Sequence, residues 1–375
     1  MSMQIQFVVF WIAIIVILLL GLIQNKFSKK SQCAIVIFAI FILSFMYSNR
    51  TLGLDLRNYI EYYSSSNINR IMSTLDIKSL FLNEYEPLFT LTIVVAKKIG
   101  LSVQKWLFAI VFIPSLIFYG IFFRKGKKPL LMFYFFLLIM MFQVDLTRFY
   151  LAAPFLCIAF HSEKLTKKGI FYVLAFGFHY SAIFLAFAEI FLVMKLSNKK
   201  KYGIVFFFLL GALVLKNIDL SFLEYSQYRF LFKLWYNLYH SGASNSLINT
   251  YQIIMTYVIN VYPIIMCLII LKLMKKDEAL NKCPIGLNYA KYEDVLRIGI
   301  ITSILLVIVF GSVKIGFRIL LLTYFILFIP ISNISRDSIY DGKISGSAIG
   351  YTLALFMYNI FMSLYLSLIH ISEPT

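Results

Sequence analysis

A chain of 375 residues that is 61% hydrophobic and only 14% charged is not a soluble domain, in which about a quarter of residues carry charge. It reads as a polytopic membrane protein, with a mean hydropathy of +0.84. Its net charge of +18 would point to nucleic acid in a soluble protein, but the basic residues fall in short clusters between apolar runs, where they set membrane orientation. No nucleic-acid partner is expected.

Ile5–Ile23 is as long as a spanning helix, about 20 apolar residues, and lacks the basic flank and small-x-small cleavage site of a signal peptide. Lys26, Lys29 and Lys30 then mark a cytoplasmic loop, and Cys33–Tyr47 exits. Residues 48–102 form a polar outer segment. Within it Pro87–Ile99 is apolar but too short to cross, and reads as a lateral or re-entrant helix with Pro87 in its first turn. Trp106–Phe123 returns inward to the RKGKK run at 124–128, Pro129–Val144 exits, and Arg148–Phe160 enters to Lys164, Lys167 and Lys168. Gly169–Phe178 is half a span and Tyr180–Met194 completes the return, which puts His179 at a break between two short helices. Gly203–Leu215 exits to a second outer segment, 216–249, rich in tyrosine and tryptophan. Thr250–Ile270, Asp294–Phe310, Phe317–Ile331 and Ile344–Leu366 complete the layout. The reading is therefore all-α, a single integral membrane domain over 1–375 with about twelve spans, some short or broken. The SLIHISEPT stretch at 367–375 does not continue the span chemistry; it resembles a translated adapter sequence and reads as a non-native tail, the alternative being a short polar tail after the last span.

In this topology Arg50, Asp55, Arg57, Glu84, Glu86, Arg148, His179, Arg229 and Arg318 fall on or just below the outer face. Ionisable groups at membrane depth are costly, roughly 2.5–3.5 kcal/mol at a helix centre, and mark function by default. Arginines on the outer side run against the positive-inside rule, and a guanidinium fork suits phosphate oxygens. The plainer alternative pairs Arg50 with Asp55 and Arg148 with Asp145; Arg318 has no acid near it in sequence. His179 is either a hydrogen-bonded core histidine or a base on a sugar hydroxyl, and Glu84 and Glu86 are alternative bases. Glu189 reads as paired or snorkelling. The four cysteines, Cys33, Cys157, Cys267 and Cys283, have no metal-site or disulfide spacing, and no DxD-like acidic motif lies near the outer face. Neither a metal nor a cofactor is expected.

These residues also carry a family resemblance. RTLGLDLRNY (Arg50, Gly53, Asp55, Tyr59), EYEPLF at 84–89, Arg148 opening a span, FHYSA at 178–182 and Arg318 opening a late span are similar, in order and spacing, to EpsG-like proteins, the Wzy-type polymerases of bacterial surface polysaccharides. The resemblance covers most of residues 1–366. It implies a metal-independent membrane glycosyltransferase that joins undecaprenyl-pyrophosphate-linked oligosaccharide repeats outside the cytoplasmic membrane. On this reading Arg50, Arg148, Arg229 and Arg318 hold the pyrophosphate. His179, Glu84 or Glu86 supplies the base, and Asp55, Tyr59, Asp145 and Tyr180 contact substrate. The partners are the lipid-linked oligosaccharide, membrane lipid, and a flippase and chain-length regulator of the same pathway. A flippase of the same lipid-linked sugar, an acyltransferase and a glycan ligase are the alternatives. Against transport, no two-fold hydropathy repeat is evident and the charges gather on one face, not at the midplane.

Overall fold

The structure is a computed structural model that describes residues 26–49, 56–74, 77–83, 85–123 and 147–183 continuously, with scattered positions at 12–23, 130, 186–223 and 294–299. Among the described residues the chain is helical and contains no strand. The expected spans Pro129–Val144 (but for Leu130), Thr250–Ile270, Phe317–Ile331 and Ile344–Leu366, the outer segment 216–249 (but for Ser221–Leu223) and the 367–375 tail lie outside the described residues. Ile5–Ile23, Gly203–Leu215 and Asp294–Phe310 are described only in part.

Helix α1 spans Lys29–Ser48. It starts one turn before the apolar run because the Ser28 hydroxyl accepts from the Ser31 amide at 3.1 Å, an N-cap. Among the described residues it is one of two helices long and apolar enough to cross a membrane; the other is Val103–Ile121. One side of α1, with Ile37, Phe38, Phe41 and Phe45, stays exposed, while Val36, Ile40 and Ser44 are buried. An exposed apolar stripe of this kind suits lipid.

The segment after α1, polar in sequence, folds into three short helices: α2 (Leu56–Ser64), α3 (Ser66–Thr74) and α4 (Ile77–Phe81). Their buried residues recur every three or four positions, Leu56, Tyr59, Tyr62 and Tyr63 on α2 and Ile68 and Ile71 on α3, the spacing of a helix face. That face packs on α5, Pro87–Lys98. Pro87 occupies the first turn, where its missing N–H has no partner to lose. At 12 residues α5 is about 18 Å long, well short of the roughly 30 Å hydrocarbon layer.

Lys97, near the end of α5, ties it to the preceding helices. Its Nζ donates to the Tyr63 carbonyl at 2.9 Å and to Asn69 Oδ1 at 2.7 Å, and lies 5.3 Å from the centre of the Tyr63 ring. Burial pushes the Tyr63 phenol up, so it stays protonated and donates to the Leu101 carbonyl at 2.6 Å. The chain then turns sharply. Gly100 adopts φ +72, and the Leu101 amide reaches back to the Ala96 carbonyl at 2.9 Å, the closing bond of a Schellman motif that only glycine enters without strain. Ser102 caps α6, Val103–Phe118, which continues as a π-helical turn over Tyr119–Phe123.

Helix α6 packs on α1 and on α7, Thr147–His161. Helix α7 is buried on nearly every side, from Phe149 and Tyr150 through Ala153 and Leu156 to Phe160, which makes it a core element. A turn at Ser162–Lys164 leads to α8, Leu165–Phe178. The α7–α8 pair is closed by Phe155 stacking on Phe178 at 5.4 Å and on Phe171 at 6.3 Å.

Candidate functional site

The site forms where the start of α5, the start of α7 and the end of α8 meet. Glu86 is the N-cap residue of α5, yet its side chain makes no cap hydrogen bond, the usual use of a carboxylate there. It turns instead toward two groups from elsewhere in the chain. Oε2 accepts from Arg148 Nη1 at 2.6 Å, and Oε1 lies 3.3 Å from His179 Nδ1. Glu86 is 2% exposed. A buried carboxylate is tolerated only with such partners, and the positive end of the α5 dipole adds to them.

Arg148 is held on three sides. Besides Glu86, its Nε donates to the Tyr59 hydroxyl at 3.2 Å, and its guanidinium lies over the Tyr85 ring at 5.0 Å. Two hydrogen bonds and a stacked ring fix both the plane and the position of the guanidinium. The plainer sequence reading had Arg148 paired with Asp145, one turn away. Among the described residues its acidic partner is Glu86, 62 positions away; Asp145, and with it that pairing, lies outside the described residues. Tyr59 is 1% exposed and packed against Tyr85 and Phe89. Its contribution is therefore its hydroxyl, which aims Arg148.

His179 ends α8. Its backbone is extended, φ −155 and ψ 115, with the amide still bonded to the Ala175 carbonyl. Helical turns resume as Ala182 bonds back to His179. Glu189, beyond the break, contacts Lys168 and Tyr172 on α8, so the chain reverses at His179–Ser181. His179 thus sits at the tip of a folded-back helix pair, its ring edge-on to Phe149 at 5.6 Å. Gly177, just before the tip, lets α8 approach α5: a Cβ there would lie 2.7 Å from the Leu88 side chain. Tyr180 is within electrostatic reach of both Glu86 and Arg148 and packs its ring on Phe176 at 5.1 Å.

Of the residues singled out in the sequence, Glu86, Arg148, His179, Tyr59 and Tyr180 come together here. Arg50, Asp55, Glu84, Asp145, Arg229 and Arg318 lie outside the described residues. Sequence reasoning missed Tyr85, the platform under Arg148, though it sits between Glu84 and Glu86 in the same NEYEP stretch. Glu189 is paired, as one of its two readings had it, with Lys168 and Tyr172 at the base of the reversal.

A buried carboxylate that faces a histidine Nδ1 and an arginine is an arrangement for orienting both. With Nδ1 beside the carboxylate the imidazole sits at a fixed place in the cluster, while the fixed guanidinium offers a preorganised cation. Compared with known protein families, the chain matches the model described as the EpsG family over residues 33–373. No curated protein and no solved structure matches it.

Proposed function

This chain belongs to the EpsG family, a membrane protein of polysaccharide biosynthesis, and on that premise we propose that it polymerises an extracellular polysaccharide, whether O-antigen, capsule or exopolysaccharide, at the outer face of a bacterial cytoplasmic membrane. The donor is the growing glycan on undecaprenyl pyrophosphate, and the acceptor is a sugar hydroxyl of an incoming lipid-linked repeat. The observation that supports the reading best is the Glu86 carboxylate shared between Arg148 and His179.

In the proposed step the acceptor oxygen bonds to the anomeric carbon of the donor as the bond from that carbon to the pyrophosphate oxygen breaks. The electron pair leaves with the pyrophosphate, and the acceptor proton passes to the His179 imidazole. Glu86 lies 3.3 Å from His179 Nδ1 and keeps Arg148 in place, so in this proposal its role is orientation and the base is His179. Arg148 stabilises charge gathering on the leaving pyrophosphate, and Tyr59 and Tyr85 keep it from swinging away. Arg50, Arg229 and Arg318 are the further pyrophosphate ligands of the proposal, and Asp55, Asp145 and Tyr180 its further substrate contacts. The chemistry draws on the chain's own cations and needs no metal.

The test supplies lipid-linked repeats to the purified protein in detergent. The reading predicts glycans longer than one repeat with release of undecaprenyl pyrophosphate. Unchanged repeats, together with transbilayer movement of the lipid-linked sugar in vesicles, would identify a flippase instead.

A further inference from the structure

Ser181 lies at the same reversal as His179 and is 8% exposed, yet its Oγ has no hydrogen-bond partner among the described residues. A buried hydroxyl left in that state costs stability, and serine has cheap local remedies. Other serines of this chain use them. Ser44, Ser115 and Ser162 each donate to the carbonyl four residues earlier, and Ser28 and Ser102 cap helices. Ser181 does neither, at the one reversal whose tip carries His179 toward the carboxylate that holds Arg148.

We propose that the Ser181 hydroxyl is a substrate-binding group that donates a hydrogen bond to a phosphate oxygen of the lipid-linked donor. The inference rests on the polymerase reading and deepens it. A phosphate oxygen is favoured over a sugar hydroxyl because Ser181 shares its reversal with His179, which lies against the carboxylate that holds Arg148, and an acceptor-only oxygen can take bonds from several donors at once. The substrate then supplies the partner that Ser181 lacks among the described residues.

The variant Ser181→Ala separates this role from a structural one, because removing an unsatisfied buried hydroxyl leaves stability unchanged or raises it. The measurement uses full-length protein in detergent, with lipid-linked repeats as substrate, undecaprenyl pyrophosphate as a competing ligand, and thermal unfolding alongside. The proposal expects Ser181→Ala to unfold at the wild-type temperature or above. It expects the KM for donor and the inhibition constant for undecaprenyl pyrophosphate to rise together, by about tenfold. An unchanged inhibition constant overturns the proposal: a rise in KM alone assigns the hydroxyl to a sugar, and a fall in unfolding temperature alone assigns it to the fold. If the wild-type protein makes no polymer, the polymerase reading fails by itself. The inference is then read from the thermal shift that undecaprenyl pyrophosphate gives each protein. A smaller shift for Ser181→Ala supports it, and equal shifts overturn it.

Discussion

Arg148 at the start of α7 and Glu86 at the cap of α5 are 62 positions apart in the chain and 2.6 Å apart in space. The pair joins the segment that follows α1 to the core helix α7, and through His179 it also reaches the tip of α8. Three pieces of chain that are unremarkable alone become one charged cluster inside an apolar protein. A buried pair of this kind is a weak source of stability, since desolvation offsets most of its Coulomb gain. Its value lies in where it holds the guanidinium and the imidazole.

The first prediction follows from how Arg148 is held. Lysine keeps the charge but cannot donate to Glu86 and Tyr59 while lying flat over Tyr85. Arg148→Lys should therefore fail almost as badly as Arg148→Ala, with at least ~1.5–3 kcal/mol lost per charge-assisted contact, tenfold or more in rate. The double variant Glu86→Gln/Arg148→Gln removes both charges and should restore protein level without restoring polymer. Glycan chain length in cells at matched protein level reads both. Wild-type polymer from either would take the pair out of the site.

A second prediction concerns the base of the reversal. Glu189 is 3% exposed and faces Lys168 and Tyr172. Removing Lys168 alone strands a buried carboxylate, a change that typically costs about 3–5 kcal/mol. Lys168→Met should lower the unfolding temperature sharply, and Lys168→Met/Glu189→Leu should recover most of the loss. Equal melts for the single and double variants would mean that the pair does not hold the reversal together.

Gly177 gives a third. A methyl there meets Leu88 at 2.7 Å, next to Glu86 on α5. Overpacking of this kind costs about 1–3 kcal/mol, and relief by sliding α8 away from α5 would separate His179 from Glu86. Gly177→Ala should lower polymer output more than it lowers protein level, and Gly177→Ala/Leu88→Ala should regain activity by clearing the space. No gain in the double variant would argue against a close α5–α8 contact.

Hydropathy located α1 and α6 to within a turn, because a long apolar run has few other ways to satisfy its backbone in lipid. It missed the first turn of each, since the caps Ser28 and Ser102 are polar. The break at His179 was legible from two apolar halves too short to span. The helices α2–α4 were not read, because a polar segment carries no hydropathy signal; the spacing of Tyr59, Tyr62 and Tyr63 was the available clue. The partner of Arg148 was out of reach. Asp145, one turn away, is the acid that sequence offers and lies outside the described residues, and nothing local says that Glu86 will be brought across from another helix. Its failure to cap α5 is visible only in three dimensions.

Membrane orientation gives a fourth prediction. Every loop assigned to the cytoplasm carries Lys or Arg. Cysteines placed at Ser65 and Ser244 should label from outside intact cells, and one at Ser197 only after permeabilisation. Labelling at Ser197 in intact cells would reverse the orientation and move the cluster to the wrong face for a lipid-linked donor presented outside.

The central claim is that His179, oriented by Glu86, takes the acceptor proton. The most direct measurement compares wild type and His179→Gln as purified, folded proteins given lipid-linked repeats in detergent, with unfolding temperature and undecaprenyl pyrophosphate binding recorded alongside. Glutamine can hydrogen-bond Glu86 but cannot carry a proton at neutral pH. The account predicts wild-type folding, retained ligand binding and a loss of chain extension of about 100-fold or more for the variant. Polymerisation by His179→Gln at near the wild-type rate would contradict it.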